Sequence, residues 1–143
     1  IRWEGETLVS RASKLHGLRV DCAQVPDLVP ILAVAMAAAE GESRITGAAR
    51  LRIKESDRLS AMAAALTAAG ADAAELPDGL AIRGGKTLHA AKIEGCNDHR
   101  IVMAMTIASA LSDGEWTITD AEATAKSAPA FWQEFERLGG LAR

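Results

Sequence analysis

Apolar residues along this chain form short runs between charged turns, and their spacing predicts alternating strands and helices. The run 28–39 has the length of a buried helix, and Ser43 to Thr46 alternates like a strand. A second helix is predicted over 57–69, with Gly70 as the residue that ends it. A hairpin is predicted around Pro77-Asp78-Gly79.

The pattern of the first half recurs in the second. Residues 32–48, LAVAMAAAEGESRITGA, align without a gap on residues 105–121, MTIASALSDGEWTITDA, a period of 73 residues. Such a period suits a duplicated α/β unit. Each unit is predicted to run strand, helix, strand, helix and, where visible, hairpin. We therefore expect an α/β (α+β) fold built from repeated βαβαββ units.

The second unit is predicted in the same order as the first. A strand is expected at 92–93, a helix at 98–111, a strand at 116–119 and a last helix at 129–138. The first unit is expected to open with a strand at 18–20. Before it, IRWEGETLVS predicts two strands around Glu4-Gly5-Glu6.

Composition narrows the class of protein. The chain is 49% hydrophobic but only 3% aromatic, so its core must consist mainly of Ala, Leu, Ile, Val and Met. A net charge of -3 gives no general attraction to nucleic acid. The run 28–39 is too short to cross a membrane. Cys22 and Cys96 are far apart and match no CxxC pattern, so we expect reduced thiols and a cytoplasmic protein.

Charged residues gather at the predicted helix starts. Residues 52–59, RIKESDRL, contain five charges in eight positions, with Ser56 as the expected N-cap. Asp27 precedes the first helix, Asn97-Asp98-His99-Arg100 the third, and Lys126 leads toward the fourth. If the units pack with the same polarity, these starts face one side and form an anion site.

Backbone dipoles alone would hold an exposed anion by only about 0.3–1 kcal/mol. Bidentate contacts from Arg58 and Arg100 would supply the missing affinity and orientation. The structural alternative is that Asp27 and Asp98 are ordinary N-caps, and that His99 and the lysines are solvated surface residues. No spacing typical of a metal site, a glycine-rich phosphate loop or a Ser-His-Asp triad is present.

Three segments together resemble the 5-enolpyruvylshikimate-3-phosphate synthase family: RIKESDRL at 52–59, NDHRIVMAM at 97–105 and TAKSAPAFW at 124–132. The resemblance covers nearly the whole chain. It implies two domains of three βαβαββ units each, with substrates held between them. This chain is similar to the last two units of the C-terminal domain. We therefore expect a hairpin at 1–10, units at 18–84 and 88–143, and a missing N-terminal domain.

The resemblance also implies a reaction. The family transfers the enolpyruvyl group of phosphoenolpyruvate to the 5-hydroxyl of shikimate 3-phosphate, through a tetrahedral ketal, and releases phosphate. It uses no metal or redox cofactor, and glyphosate competes with phosphoenolpyruvate. The implied partners are these two substrates and the missing domain, in a monomeric parent protein. Because the chain opens at Ile1 rather than Met, we expect a piece of a larger protein. Because the resemblance implies that half of the active site lies in the missing N-terminal domain, we expect this piece alone to be inactive.

The resemblance assigns two catalytic carboxylates. Asp27 is the proposed base and also binds substrate by contacting the shikimate hydroxyls, and Glu55 acts in proton transfer at the methylene carbon. Substrate ligands are implied at four cations and a histidine: Lys54 for the phosphate of shikimate 3-phosphate, Arg58, Arg100 and Lys126 for phosphoenolpyruvate, and His99, which like Asp98 shapes the site.

Some members have an asparagine where this chain has Arg50. Three other classes stay open: the enolpyruvyl transferase of cell-wall synthesis, which uses a nucleotide sugar; the RNA-cyclase-like family, which shares the repeat; and a non-catalytic anion-binding module.

Overall fold

The structure, a computed structural model, describes residues 1–143 and opens with a separate hairpin. Strands β1 (Arg2–Glu4) and β2 (Thr7–Val9) pair antiparallel. Gly5 lies in the turn with φ +62°, a conformation that glycine adopts without strain. The predicted pair of strands around this turn is confirmed.

A four-stranded sheet and a helix follow: β3 Arg19–Asp21, α1 Val29–Ala38, β4 Gly41–Thr46, β5 Asp72–Leu76 and β6 Gly79–Gly84. The strand order in the sheet is β3-β4-β6-β5. Strand β3 pairs parallel to β4, whereas β6 pairs antiparallel to β4 and β5. A parallel pair needs a crossover connection, and helix α1 supplies it between β3 and β4.

Helix α2 (Arg58–Ala68) links β4 to the β5–β6 hairpin, after a short 3₁₀ helix at Ala49–Ile53. It ends at Gly70, as the sequence predicts, in a Schellman motif: Gly70 has φ +90° and donates from N to Thr67 O, and Ala71 N donates to Leu66 O.

The second half is built from shorter strands and two helices: β7 Leu88–His89, β8 Lys92–Ile93, α3 His99–Ser109, β9 Ser112–Asp113, β10 Thr117–Ile118 and α4 Phe131–Arg137. Strand β7 pairs parallel to β9, and β8 pairs parallel to β10, with helix α3 as the crossover of both pairs. A 3₁₀ helix at Ala121–Lys126 precedes the last helix, α4.

Two predictions about helix starts are wrong. Asp57, not Ser56, is the N-cap of α2, because its carboxylate accepts from Ser60 N (3.1 Å). Lys126 does not lead into the last helix, since it lies at the C-terminal end of the preceding 3₁₀ helix. The cation of Lys126 therefore reaches the site from a different kind of segment.

Helices α1, α2 and α3 pack around one core. They approach one another closely because many of the residues between them are alanines, whose side chains are small. Ala33, Ala63 and Ala104 are all buried there. Larger residues fill the remaining space: Leu59, Met62, Leu66, Ile101 and Met105. None of the helices has the length and apolar character needed to span a bilayer.

Candidate active site

The starts of the first three helices meet at one place in the fold. Asp27 lies in the 3₁₀ turn Pro26–Leu28 before α1, Arg58 is the first residue of α2, and Asp98 is the N-cap of α3. Their side chains contact one another although they are 31 to 40 residues apart in the chain. The convergence expected from the repeat is therefore present for these three starts.

Arg58 and Asp98 form a buried ion pair at the centre of the site. Arg58 Nε donates to Asp98 Oδ2 (2.8 Å) and Nη2 donates to Oδ1 (3.1 Å). The two side chains are 2% and 0% exposed. Removing one partner of such a pair typically costs roughly 3–5 kcal/mol, because the other charge is left buried and unpaired.

Asp98 has two further donors. Ser56 Oγ donates to Oδ2 (3.0 Å), and the backbone N of Arg100 donates to Oδ1 (3.0 Å) as the capping bond of α3. Burial by itself would raise the pKa of Asp98. The hydrogen bonds from Arg58, Arg100 N and Ser56 outweigh burial and lower this pKa, so Asp98 is ionised at neutral pH.

The outer edge of the Arg58 guanidinium contacts two more carboxylates. Nη1 donates to Asp27 Oδ1 (3.1 Å), and Nη2 donates to Glu55 Oε2 (2.7 Å). A guanidinium has five N–H donors, and four of those of Arg58 are bound to carboxylates. The two carboxylates predicted to be catalytic thus flank a single arginine.

Asp27 is held by other cations as well. Arg100 Nη2 donates to its Oδ2 (3.2 Å) and Nη1 to its carbonyl oxygen (3.2 Å), while Lys54 Nζ lies 3.9 Å from Oδ1. Its side chain is 46% exposed, so solvent and ligands can reach it.

Glu55 accepts from Lys126 Nζ in addition to Arg58. The hydrogen bond from Lys126, helped by Arg58, lowers the pKa of Glu55 to about 2. This contact spans 71 residues and brings the third segment of the resemblance to the same site.

His99 is buried beside this cluster, and its Nδ1 has no hydrogen-bond partner. The Oδ1 atom of Asp98 lies 3.9 Å from this Nδ1. Burial lowers the pKa of His99, so the imidazole is neutral at pH 7. Arg50 forms no hydrogen bond or ion pair with the cluster and instead donates from Nη2 to the carbonyl of Ala23 (2.6 Å).

Arg52 is a residue that sequence reasoning missed. It donates to the carbonyls of Pro77 and Leu76, to Glu75 and to Asp57. It thereby ties the β5–β6 turn to the start of α2, close to Lys54 and Glu55. Its position inside RIKESDRL was the available signal, but every acceptor except Asp57 lies more than 20 residues away.

The cluster can bind anions and handle protons. Four cations face three carboxylates: Lys54, Arg58, Arg100 and Lys126 against Asp27, Glu55 and Asp98. With His99 neutral, the sum is one positive charge. Repeated α/β units with this cluster at their helix starts define a class of protein whose cationic cluster, next to a pair of accessible carboxylates, suits anionic small molecules.

Comparison with known proteins shows which family of this class the chain is similar to. The sequence matches the family described as EPSP synthase (3-phosphoshikimate 1-carboxyvinyltransferase) over residues 1–135. The chain belongs to the EPSP synthase family. The family and the α/β fold predicted from the sequence are both confirmed.

Individual relatives agree. The chain is 50% identical over 131 residues to the 3-phosphoshikimate 1-carboxyvinyltransferase of Clostridium acetobutylicum, covering 92% of this chain and 31% of the relative. It is 45% identical over 139 residues to that of Methanocella arvoryzae, covering 96% and 33%. A structure of EPSP synthase from Acinetobacter baumannii superposes with a TM-score of 0.80 at 36% identity, over 87% of this chain and 30% of that one. The chain thus spans about a third of the length of these relatives.

Proposed function

We propose that this chain is part of an enzyme that transfers the enolpyruvyl group of phosphoenolpyruvate to the 5-hydroxyl of shikimate 3-phosphate and releases phosphate. The observation that supports this proposal most strongly is one cluster of ion pairs, formed by Asp27, Glu55, Arg58, Arg100 and Lys126. Both substrates are anions with phosphate and carboxylate groups, which suits a cluster of arginine and lysine side chains.

The proposed division of labour follows from exposure and charge. Arg58, Arg100 and Lys126 bind phosphoenolpyruvate, and Lys54 binds the phosphate of shikimate 3-phosphate. Asp27, which is exposed, takes the proton of the attacking hydroxyl. His99 is neutral and buried, so it shapes the wall of the site and adds no charge.

Glu55 is the proposed proton donor to the methylene carbon of phosphoenolpyruvate. The hydroxyl oxygen bonds to C2 while the methylene carbon, C3, takes the proton from Glu55 and becomes a methyl group, which gives a tetrahedral ketal. The reverse proton removal then expels phosphate and regenerates the double bond. A positioned acid or base of this kind contributes about 10²–10⁴ in rate.

A carboxylate with a pKa of about 2 is a poor proton donor at neutral pH. Lys126 and Arg58 are also the cations proposed to bind phosphoenolpyruvate. Binding would therefore draw these cations away from Glu55 and raise its pKa at the moment the proton is needed. On this proposal, the phosphate and carboxylate groups of the substrates bind the cations in place of Glu55 and Asp27.

We infer that the remaining substrate contacts come from protein outside this chain, since the relatives are about three times as long. The proposed division of the chain is a hairpin at 1–10 and units at 18–84 and 88–143, and the proposed parent is a monomer. On this account the 143 residues alone do not catalyse the reaction. Free Cys22 and Cys96 support a reducing cytoplasm as the proposed compartment.

A chimaera tests the proposed activity. The matching third of the Clostridium acetobutylicum relative is replaced by this chain, and phosphate release is measured with phosphoenolpyruvate and shikimate 3-phosphate. We expect activity that Glu55→Gln lowers by about 10² or more, while Glu42→Gln, on an exposed sheet position, leaves it unchanged. A chimaera that folds but transfers only to a nucleotide sugar would favour the cell-wall enzyme, and complete inactivity would contradict the proposal.

A further inference from the structure

The bonds of Arg58 fall into two groups that differ in exposure. The Nε side of its guanidinium contacts Asp98, whose side chain is 0% exposed. The opposite side contacts Asp27 and Glu55, which are 46% and 25% exposed. A ligand can take the place of the exposed carboxylates, whereas Asp98 is out of its reach.

Asp98 is itself fixed from several directions. It accepts from Ser56 Oγ and from Arg100 N while it caps α3. A contact at two points, Nε and Nη2, sets both the position and the rotation of the guanidinium plane. The direction in which Arg58 presents its remaining edge therefore depends on a residue 40 positions away.

We propose that Asp98 is the positioning residue of this site: it holds Arg58 so that the Nη edge faces the place where a phosphate or carboxylate binds. The inference rests on the proposed function, because it assigns a role within that same site. Asp98 does not contact the substrate and transfers no proton.

Charge and positioning make opposite predictions for Asp98. The cluster carries four cations and three carboxylates. If Asp98 acted only as one more negative charge, neutralising it would strengthen anion binding. If it positions Arg58, neutralising it weakens anion binding.

Asp98→Asn separates these outcomes, because asparagine is also a good N-cap and leaves α3 capped. The matched control is Asp57→Asn, since Asp57 caps α2 in the same way but is paired with Arg52, outside the cluster. Binding of inorganic phosphate, and then of phosphoenolpyruvate, is followed through the backbone amide shifts of residues 56–59. We expect at least about tenfold weaker binding in Asp98→Asn, as for loss of a hydrogen bond to a charged group, and no change in Asp57→Asn.

A second measurement does not depend on the folding of that variant. The Arg58 Nε–H proton of the unaltered chain should exchange slowly with solvent because Asp98 holds it. Ser56→Ala removes one donor to Asp98 without changing the charge, so we expect faster exchange of this proton and a smaller loss of phosphate affinity.

The result that would overturn the proposal is equal or tighter phosphate binding by Asp98→Asn with the Arg58 Nε–H still protected. If Asp98→Asn does not fold, the Ser56→Ala variant decides. The proposal is overturned if this variant has the same phosphate affinity and the same Arg58 Nε–H exchange rate as the unaltered chain. Weaker phosphate binding in Asp98→Asn, with no preference of the unaltered chain for phosphoenolpyruvate, would uphold Asp98 and count against the transferase. Failure of the unaltered chain to bind either anion would contradict both.

Discussion

Glu55 illustrates how single residues in this site control charge. Its side chain is 25% exposed, and yet Lys126 and Arg58 lower its pKa to about 2. Lys126 reaches it from a 3₁₀ helix, with a side chain that is itself 58% exposed. A long exposed lysine can leave one anion for another at little cost, so the charge state of Glu55 is adjustable by a ligand.

Replacing Lys126 by methionine removes the largest cause of the low pKa of Glu55. We expect this pKa to rise from about 2 toward the ordinary value of 4.5. A pH titration of the Glu55 side-chain carboxyl by carbon NMR measures it. Lys86→Met, at an exposed position outside the cluster, is the control. A pKa that stays near 2 in Lys126→Met would show that Lys126 does not hold Glu55.

Acid should remove the stability that the Glu55 contacts contribute. Because the pKa of Glu55 is lower in the folded chain, ionised Glu55 stabilises the fold above about pH 4.5, and this contribution is lost as the pH falls toward 2. The unaltered chain should therefore exceed Glu55→Gln in free energy of unfolding at pH 6. The difference should narrow by pH 2.5, as measured by urea unfolding. A difference that does not depend on pH would contradict the assigned ion pairs.

The sequence predicts that the charged residues of RIKESDRL belong to the site, but it does not predict which carboxylate pairs with the buried Arg58. A buried arginine needs a carboxylate as its partner. Three carboxylates contact Arg58, and they lie 3, 31 and 40 positions away from it in the chain. Nothing in the sequence distinguishes the buried partner, Asp98, from the exposed ones. The shift of the N-cap from Ser56 to Asp57 has a similar cause, since Ser56 is recruited by Asp98 from another helix.

Among the helices and strands, the longest were the most predictable. Helices α1, α2 and α3 were predicted to within two residues at each end, apart from the short 3₁₀ turn that opens α1. Strands β7 and β9 have two residues each, which is too few for an alternating pattern to appear, and β8, which is equally short, was predicted only from the order that recurs in the second unit. The pairing of β7 with β9 depends on contacts between segments 24 residues apart.

The close approach of β6 to β4 depends on a residue without a side chain. A Cβ added to Gly79 would lie 1.8 Å from the carbonyl oxygen of Ile45, a backbone atom that cannot move without disturbing the sheet. We expect Gly79→Ala to lower the free energy of unfolding by at least about 3 kcal/mol. Gly5→Ala, which meets no atom within 4 Å but keeps a positive φ, should lose only about 1–2 kcal/mol. Equal losses in urea unfolding would contradict this packing.

In the whole molecule, the duplicated pattern places chemically different helix starts side by side. The 73-residue period predicted this arrangement, because two similar units packed in parallel bring their helix starts to the same face. Asp27 and Arg100 are themselves 73 residues apart and bind each other across the two halves. The sequence could not predict that the cations would be paired with the protein's own carboxylates, which depends on side-chain geometry alone.

The central claim is that these helix starts form one anion site of the enolpyruvyl-transferase kind. It is tested most directly by a two-dimensional amide NMR titration of this chain with phosphoenolpyruvate, followed by shikimate 3-phosphate, against sodium chloride of equal ionic strength. We predict shifts confined to residue 27, residues 54–59, residues 98–100 and residue 126 that chloride does not reproduce. The absence of shifts at millimolar ligand, or shifts that chloride reproduces, would contradict the claim.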